Sequence, residues 1–294
     1  MKVLVSGASG FLGSQLLPAL RARGHELRSV GRSGADHDWS PESVERGVEW
    51  CEAIVALAGE NILGARWNPA FKQRLWSSRF ETTRALAHFA ARHGTRAFVG
   101  ASAIGFYGPR GDEELDERAS RGGDFLAQLC GDWEEALAPA AAAGVRCCSP
   151  RIGVVLGRGG GALARMLPFF RLGLGGPVGS GRQWFSWIHA GDLVALLCWL
   201  LESESARGVY NATAPGPVTM GEFARTLGRV LHRPALLPVP ALALRLRFGE
   251  GADVLVSGQR VLPARALAEG FRFAHPALEG ALLDLVGAQE SARA

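Results

Sequence analysis

Lysine is almost missing from this chain. Of 32 basic side chains only Lys2 and Lys72 are lysines, and the rest are arginines. Arginine stays charged and makes a poor acid or base, whereas lysine can be tuned by burial. A mechanism that needs a lysine therefore has two positions to draw on. Tyrosine is equally scarce, at Tyr107 and Tyr210. No apolar run reaches the roughly 18 residues that span a bilayer, and ALLCWLLES, starting at Ala195, is too short. The opening MKVLVSGASGFLG is broken by glycines and reads as a strand and turn, not a signal peptide. Cys51, Cys130, Cys147, Cys148 and Cys198 show neither metal-site nor redox-pair spacing. Their odd number argues against a disulfide scaffold and suits a reducing compartment, so the cytoplasm is the expected location and no metal site is expected. Acidic residues disappear between Glu135 and Asp192, while Arg146, Arg151, Arg158, Arg165, Arg171 and Arg182 fall in that stretch. Either these arginines converge on an anionic ligand or they complement acidic surface elsewhere. The net charge of +4 comes without a recognisable nucleic-acid-binding fold. The expected partner is a small molecule, with a second copy of the chain as one option; nucleic acid and membrane are not expected.

What is present is an alternation. Strands are predicted at Lys2–Ser6, Glu26–Val30, Ala53–Ala58, Arg96–Ala101 and Val145–Leu156, and helices at Leu12–Arg23, Pro69–Arg92 and Asp124–Ala143. Near-continuous apolar strands separated by helices suit an α/β fold, a Rossmann-type parallel sheet with helices on both faces. After Leu156 the texture changes to glycine-rich loops and further helices, at Ala190–Leu201, Thr219–Leu231 and Pro276–Val286. Residues 1–155 are expected to form the nucleotide-binding domain, with some later segments returning to it. Residues 156–294 are expected to form mainly a smaller α/β C-terminal substrate lobe, with the ligand in the crevice between.

Directly after the first strand stands Gly7-Ala8-Ser9-Gly10-Phe11-Leu12-Gly13. Gly7 permits the tight turn, Gly10 lets the backbone approach a pyrophosphate, and Gly13 lets the helix pack closely on the sheet. The phosphates would take hydrogen bonds from the amides at the helix start, so Ser9, Phe11 and Leu12 join the candidate site. The second strand runs into Gly31, Arg32 and Ser33, where an NAD site usually carries a carboxylate for the ribose 2′-hydroxyl. Arg32 can pair with a 2′-phosphate and Ser33 can donate to it, which points to NADP over NAD. After the third strand, Leu57, Ala58 and Gly59 leave room for the adenosine side, and Glu60 is either a charge at the crevice mouth or a loop carboxylate bonded nearby.

At ASAIGFYG (101–108) a resemblance becomes specific. The chain resembles the extended short-chain dehydrogenases/reductases, the NAD(P)-dependent sugar epimerase/dehydratase superfamily. More narrowly it resembles a poorly characterised "epimerase family". The motifs here are LAGENILGARW (57–67), SRFETT (78–83), GGDFLAQLCGDWE (122–134), GVVLGRGGGAL (153–163), GLGGPVGSG (173–181), WIHAGD (187–192) and GQRVLP (258–263), in order over nearly the whole chain. The resemblance implies a Rossmann domain for NAD(P), a C-terminal substrate lobe, and a Ser/Thr with a Tyr-x-x-x-Lys pair for proton transfer. It also places Arg79 on a helix that runs beside the cofactor.

This chain departs from that pattern at its chemical centre. Tyr107 and Tyr210 are followed four positions on by Gly111 and Ala214, and the pair's usual positions fall near Leu126 and Cys130. Leucine cannot move a proton. Ser102, at the end of the fourth strand, either bonds a substrate oxygen or caps the strand. Tyr107 either donates a proton in the crevice or packs. Cys130 is a reactive thiolate if exposed and a packing thiol if buried. Arg151 is a candidate for a substrate anion, and His189 is the most titratable residue near neutrality, with Asp192 expected to cap the helix after it. Two functions remain. One is an NADP(H)-dependent oxidoreductase or epimerase-like enzyme acting by non-standard proton transfer on a small carbonyl or hydroxyl compound, anionic if the arginines converge on it. The other is a non-catalytic NADP(H)-binding sensor or interaction protein.

Overall fold

In the computed structural model, which describes residues 1–287, the alternation builds one parallel sheet. The elements of its first half are β1 (Lys2–Ser6), α1 (Phe11–Ala22), β2 (Glu26–Val30), α2 (Pro41–Trp50), β3 (Ala53–Ala56), α3 (Pro69–His93), β4 (Ala97–Gly100), α4 (Phe125–Glu135) and β5 (Arg146–Ile152). They are followed by α5 (Gly161–Arg171), α6 (Ala190–Glu202), β6 (Gly208–Ala212), α7 (Met220–Val230), α8 (Ala241–Phe248) and α9 (Leu278–Gly287). The strand order is β6-β5-β4-β3-β1-β2, with the short strand Ser102–Ala103 also on β5. All of these pairings are parallel. β1 continues to β2 on one side and abuts β3 on the other. The chain thus reverses direction across β1, and a crevice opens at the carboxyl ends of β1 and β3, where ligands of such sheets bind.

Burial explains why these runs became strands. Val3, Leu4 and Val5 are fully buried, and so are Ala53, Ile54 and Val55 opposite them. Each buried Val, Leu or Ile side chain contributes about 1.5–3 kcal/mol relative to exposure. On one face α1 and α6 pack through Leu16, Leu20, Leu193 and Leu197; on the other α2 and α3 pack through Val44, Val48, Leu86 and Ala90. Residues 190–212 therefore rejoin the first layer. A separate core holds α5, α7 and α9 together through Leu163, Leu167, Phe223, Leu227 and Leu282. Residues 288–294 of the expected second lobe lie outside the described residues.

Several boundaries differ from expectation. The strand expected over 145–156 is two strands, because the chain leaves the large sheet at Gly153. Its amide donates to Ala212, and Val154 donates to Ser186, just before the strand Trp187–His189 of a different sheet. A Cβ on Gly153 would stand 2.6 Å from the Ser186 oxygen, so the crossing needs glycine. The helix expected over 124–143 stops at Glu135, and Pro139 opens a separate short turn, Ala138–Ala142. Helix α2 had no counterpart in the sequence reading. Pro18 lies inside α1 without ending it.

Candidate functional site

The crevice is a cleft of about 360 Å³, lined by Gly7 to Gly10, by the end of β2 with residues 31–35, and by Leu57 to Glu60. Its floor is the glycine turn. Gly7 has φ +74°, and a Cβ there would stand 2.8 Å from the Leu57 carbonyl carbon. A Cβ on Gly13 would stand 2.2 Å from the Gly7 oxygen, which is the close helix–sheet approach. Gly10 donates to the Gly7 carbonyl at 3.0 Å and caps α1 without a side-chain hydrogen bond, and no acidic residue stands in the helix's first turn. The helix start thus presents unpartnered amides and a partial positive charge to the cleft, a ready anion site. The wall opposite is fixed by Leu57 donating to the Ser6 carbonyl at 3.1 Å and Ala58 donating to the Ser6 hydroxyl at 3.2 Å.

Arg32 and Ser33 line the far end. Both are exposed, and Arg32 makes no hydrogen bond or ion pair with any described residue. Their loop is closed on itself: Gly31 donates to His37 at 2.9 Å and His37 donates to Ser29 at 3.0 Å. Within that closure the carboxylate of Asp36 is tied to the Ser29 amide at 2.7 Å and hydroxyl at 2.9 Å. The amide bond, first among several causes, holds Asp36 below the usual carboxylate range.

Other expected residues play different parts. Phe11 and Leu12 do not line the cleft with their side chains. The Phe11 ring lies on the glycines of GRGGG, where a Cβ on Gly160 would stand 2.1 Å from it and one on Gly157 2.4 Å. Those glycines are the bed of a ring that ties the second lobe to the start of α1. Gly13 is buried. Arg79 does not face the cleft either: it donates to the Glu60 carbonyl at 2.8 Å and the Leu75 carbonyl at 3.1 Å, and stacks on Trp133. Burial pulls its pKa below the ordinary guanidinium value. It buttresses the backbone of Gly59 and Glu60, helped by Ser78, whose hydroxyl accepts from the Glu60 amide at 3.0 Å. Glu60 itself lines the cleft, and Arg66 reaches the Leu246 carbonyl instead of it. Trp39, Ser78 and Thr82 also line the cleft and were not anticipated; the four-residue spacing of Ser78 and Thr82 puts both on one face of α3.

The expected catalytic residues are withdrawn from the cleft. Ser102 is 2% exposed and donates to Glu134 at 2.7 Å; Tyr107 is fully buried and donates to Asn211 at 2.6 Å. Arg151 grips Glu134 with two bonds of 2.8 Å and donates to the Tyr107 hydroxyl at 3.0 Å. Its guanidinium also lies over the Phe106 ring at 3.3 Å. Burial is the leading cause of a raised Tyr107 pKa. The substrate-binding roles considered for Ser102 and Arg151, and the proton-donor role for Tyr107, do not fit a network whose partners are all internal. Glu134, the last residue of the GGDFLAQLCGDWE motif, and Asn211, which no motif signals, complete that network. Cys130 is buried, and burial pushes its thiol up to about 12, so it packs as a neutral group. Leu126 packs with Trp67 and Phe125.

Three arginines of the acid-free stretch are engaged in separate places. Arg146 donates to the Leu200, Leu201 and Ala206 carbonyls, Arg151 is in the buried network, and Arg158 pairs with Asp284. His189, not Asp192, caps α6: its Nδ1 accepts from the Gly191 amide at 3.0 Å. Asp192 instead accepts from the Ala274 and His275 amides at 2.8 and 2.9 Å. His189, His275 and Asp284 bring potential metal donors together. With Nδ1 accepting, neutral His189 carries its hydrogen on Nε2 and offers no lone pair there.

Comparison with known proteins places this geometry. Residues 3–213 match the NAD dependent epimerase/dehydratase family, and residues 239–285 match a domain of unknown function, DUF1731. The chain is 44% identical to the epimerase family protein SDR39U1 of Mus musculus, over 97% of this chain and 100% of that protein. A crystal structure of the human epimerase family protein SDR39U1 (isoform 2) with NADPH superposes with a TM-score of 0.93 at 40% identity, over 98% of this chain and 99% of that one. UDP-glucose 4-epimerase from Thermus thermophilus, with NAD, shares the fold at a TM-score of 0.76 and 18% identity, over 97% and 98% of the two chains. Among the described residues no helix is long and apolar enough to cross a membrane. The chain belongs to the NAD dependent epimerase/dehydratase family, within the extended short-chain dehydrogenases/reductases, and is similar along almost its whole length to the SDR39U1 proteins.

Proposed function

We propose that this chain binds NADP(H) in the cleft at β1 and β3 and acts as an oxidoreductase or epimerase-like enzyme on a small carbonyl or hydroxyl compound. The observation that carries the reading is the pairing of an uncapped helix start with an unpartnered, exposed Arg32 at the far end of the same cleft. The first suits a pyrophosphate and the second a ribose 2′-phosphate. The NADPH in the human relative's structure supports the same assignment. The amides of residues 10–12 hold the pyrophosphate, Arg32 and Ser33 hold the 2′-phosphate, and Leu57 to Gly59 form the adenosine wall.

When bound, the reduced nicotinamide supplies a hydride. The proton that accompanies it does not come from the family's tyrosine–lysine pair, since neither tyrosine is followed by a lysine four positions on and the pair's usual positions fall near Leu126 and Cys130. Nor does it come from Tyr107, whose hydroxyl is buried on Asn211. Water or the substrate's own ionisable group supplies it. The same internal closure favours a second reading, an NADP(H) sensor without turnover. Consumption of NADPH with small aldehydes and ketones, or stereochemical conversion of nucleotide sugars with no net NADPH loss, marks the enzyme; a sensor gives neither.

Fluorescence titration tests the shared premise. NADPH should bind more tightly than NADH, and Arg32→Ala should weaken NADPH by roughly ten- to a hundredfold, the worth of charge-assisted hydrogen bonds, with little change for NADH. Equal affinities in the wild type would overturn the assignment.

A further inference from the structure

Among the described residues, the second lobe carries an apolar face with no cover. Most of the large apolar side chains exposed on this molecule fall on two neighbouring segments, 169–174 and 236–246. Leu236 is 80% exposed, Leu172 73% and Leu242 69%, with Phe169, Leu237 and Leu246 each more than half exposed. The segments are stitched together: Leu237 donates to Gly175 at 3.1 Å, Val239 donates to Pro177 at 2.9 Å, and Arg233 donates to the Arg171 carbonyl at 3.0 Å. Helix α8 follows with no buried residue at all. Its sequence ALALRLRF is apolar around most of its circumference, a pattern that ordinarily belongs to a helix covered on every side. Leu242 and Leu246, four residues apart, form one outward stripe with Arg245 beside it.

The chemistry of this face narrows what covers it. Neither segment contributes a carboxylate: acidic residues are absent from 136 to 191 and from 223 to 249. Arg165, Arg233, Arg245 and Arg247 are exposed on or beside the face. A second copy would bring the same arginines against these, which is repulsive. A protein partner of ordinary kind needs about ten hydrogen bonds across an interface. From Pro234 to Phe248 the only polar side chains are Arg245 and Arg247, and Pro234, Pro238 and Pro240 have no amide hydrogen to give. The Leu237 and Val239 amides are already spent inside the lobe. Projecting aliphatics, internally paired backbone and a cationic rim are the features of a segment that rests at the boundary between anionic headgroups and acyl chains.

We infer that this face, built from the end of α5, residues 233–240 and α8, docks peripherally on an anionic lipid surface. It is independent of the cofactor cleft and of what that cleft does. Cosedimentation of the full chain with vesicles tests it. Vesicles of phosphatidylcholine containing 30% phosphatidylglycerol should retain the protein, pure phosphatidylcholine should retain at least tenfold less, and salt should weaken the retention. The triple variant Leu236→Glu/Leu242→Glu/Leu246→Glu should lose retention tenfold or more while its melting curve and NADPH titration stay unchanged, because these side chains touch neither core nor cleft. Retention that is absent, equal on both vesicle types, or unchanged in the variant would overturn the inference. So would a wild-type dimer in solution that the variant converts to monomer, since the face would then be covered by a second copy, and so would stoichiometric binding of an acidic protein that vesicles do not displace.

Discussion

The cofactor cleft and the region where this family usually moves a proton are built on opposite principles. In the cleft, donors are left open: the first amides of α1 have no side-chain cap, and Arg32 has no partner among the described residues. In the other region the donors are closed: Ser102, Tyr107 and Arg151 are buried and bonded to Glu134, Asn211 and one another. An open donor costs little where water reaches it and becomes strong when an anion arrives. A closed donor is worth a great deal to stability and nothing to an incoming ligand. The fold has kept the first kind of site and used the space of the second for structure.

That contrast can be broken at its closed end. Glu134→Ala strands Arg151, a nearly buried charge, and should lower unfolding free energy by about 3–5 kcal/mol, read from urea denaturation. A loss under about 1 kcal/mol would mean that the network is wet and open. A smaller effect sharpens the point. Tyr107→Phe removes a hydroxyl that serves only Asn211 and Arg151, so stability should fall by about 1 kcal/mol while NADPH affinity and any turnover stay within twofold. Abolished turnover with intact stability would return Tyr107 to the chemistry. The smallest effect concerns the cap of α6. Burial, then the neighbouring His275, holds His189 below its ordinary 6.5. As pH falls through about 6.5, the unfolded chain therefore takes up this proton before the folded one, and stability drops until the lower folded value is passed. His189→Asn keeps a capping oxygen and removes the titration, so it should lose less stability than the wild type between pH 7 and 5. Parallel losses in the two proteins would contradict this.

The cofactor cleft was legible in the sequence because it is local. Gly7 to Gly13 are contiguous, and each glycine's reason lies within a few residues or on the adjoining strand. Gly31-Arg32-Ser33 was read the same way, although the Asp36 latch that closes its loop was not. The closed region was legible only as an absence, through Leu126 and Cys130. What fills it depends on contacts between residues 17 to 104 positions apart, from Arg151–Glu134 to Tyr107–Asn211, and periodicity carries no record of them. Ser102 and Tyr107 looked chemical because their types and positions suit chemistry; their partners decided otherwise. The same holds for the strand expected over 145–156, which Gly153 divides for a clash with Ser186 that no local pattern reveals. The glycines of GRGGG, which read only as a loop in the sequence, are a bed for Phe11.

A structure of this chain with NADPH bound tests the contrast most directly. The account predicts the 2′-phosphate within hydrogen-bonding distance of Arg32 and Ser33, and no tyrosine or lysine within the roughly 4 Å of the nicotinamide C4 that reaction geometry requires. A 2′-phosphate turned away from Arg32, or Tyr107 or Lys72 standing against the nicotinamide, would contradict it.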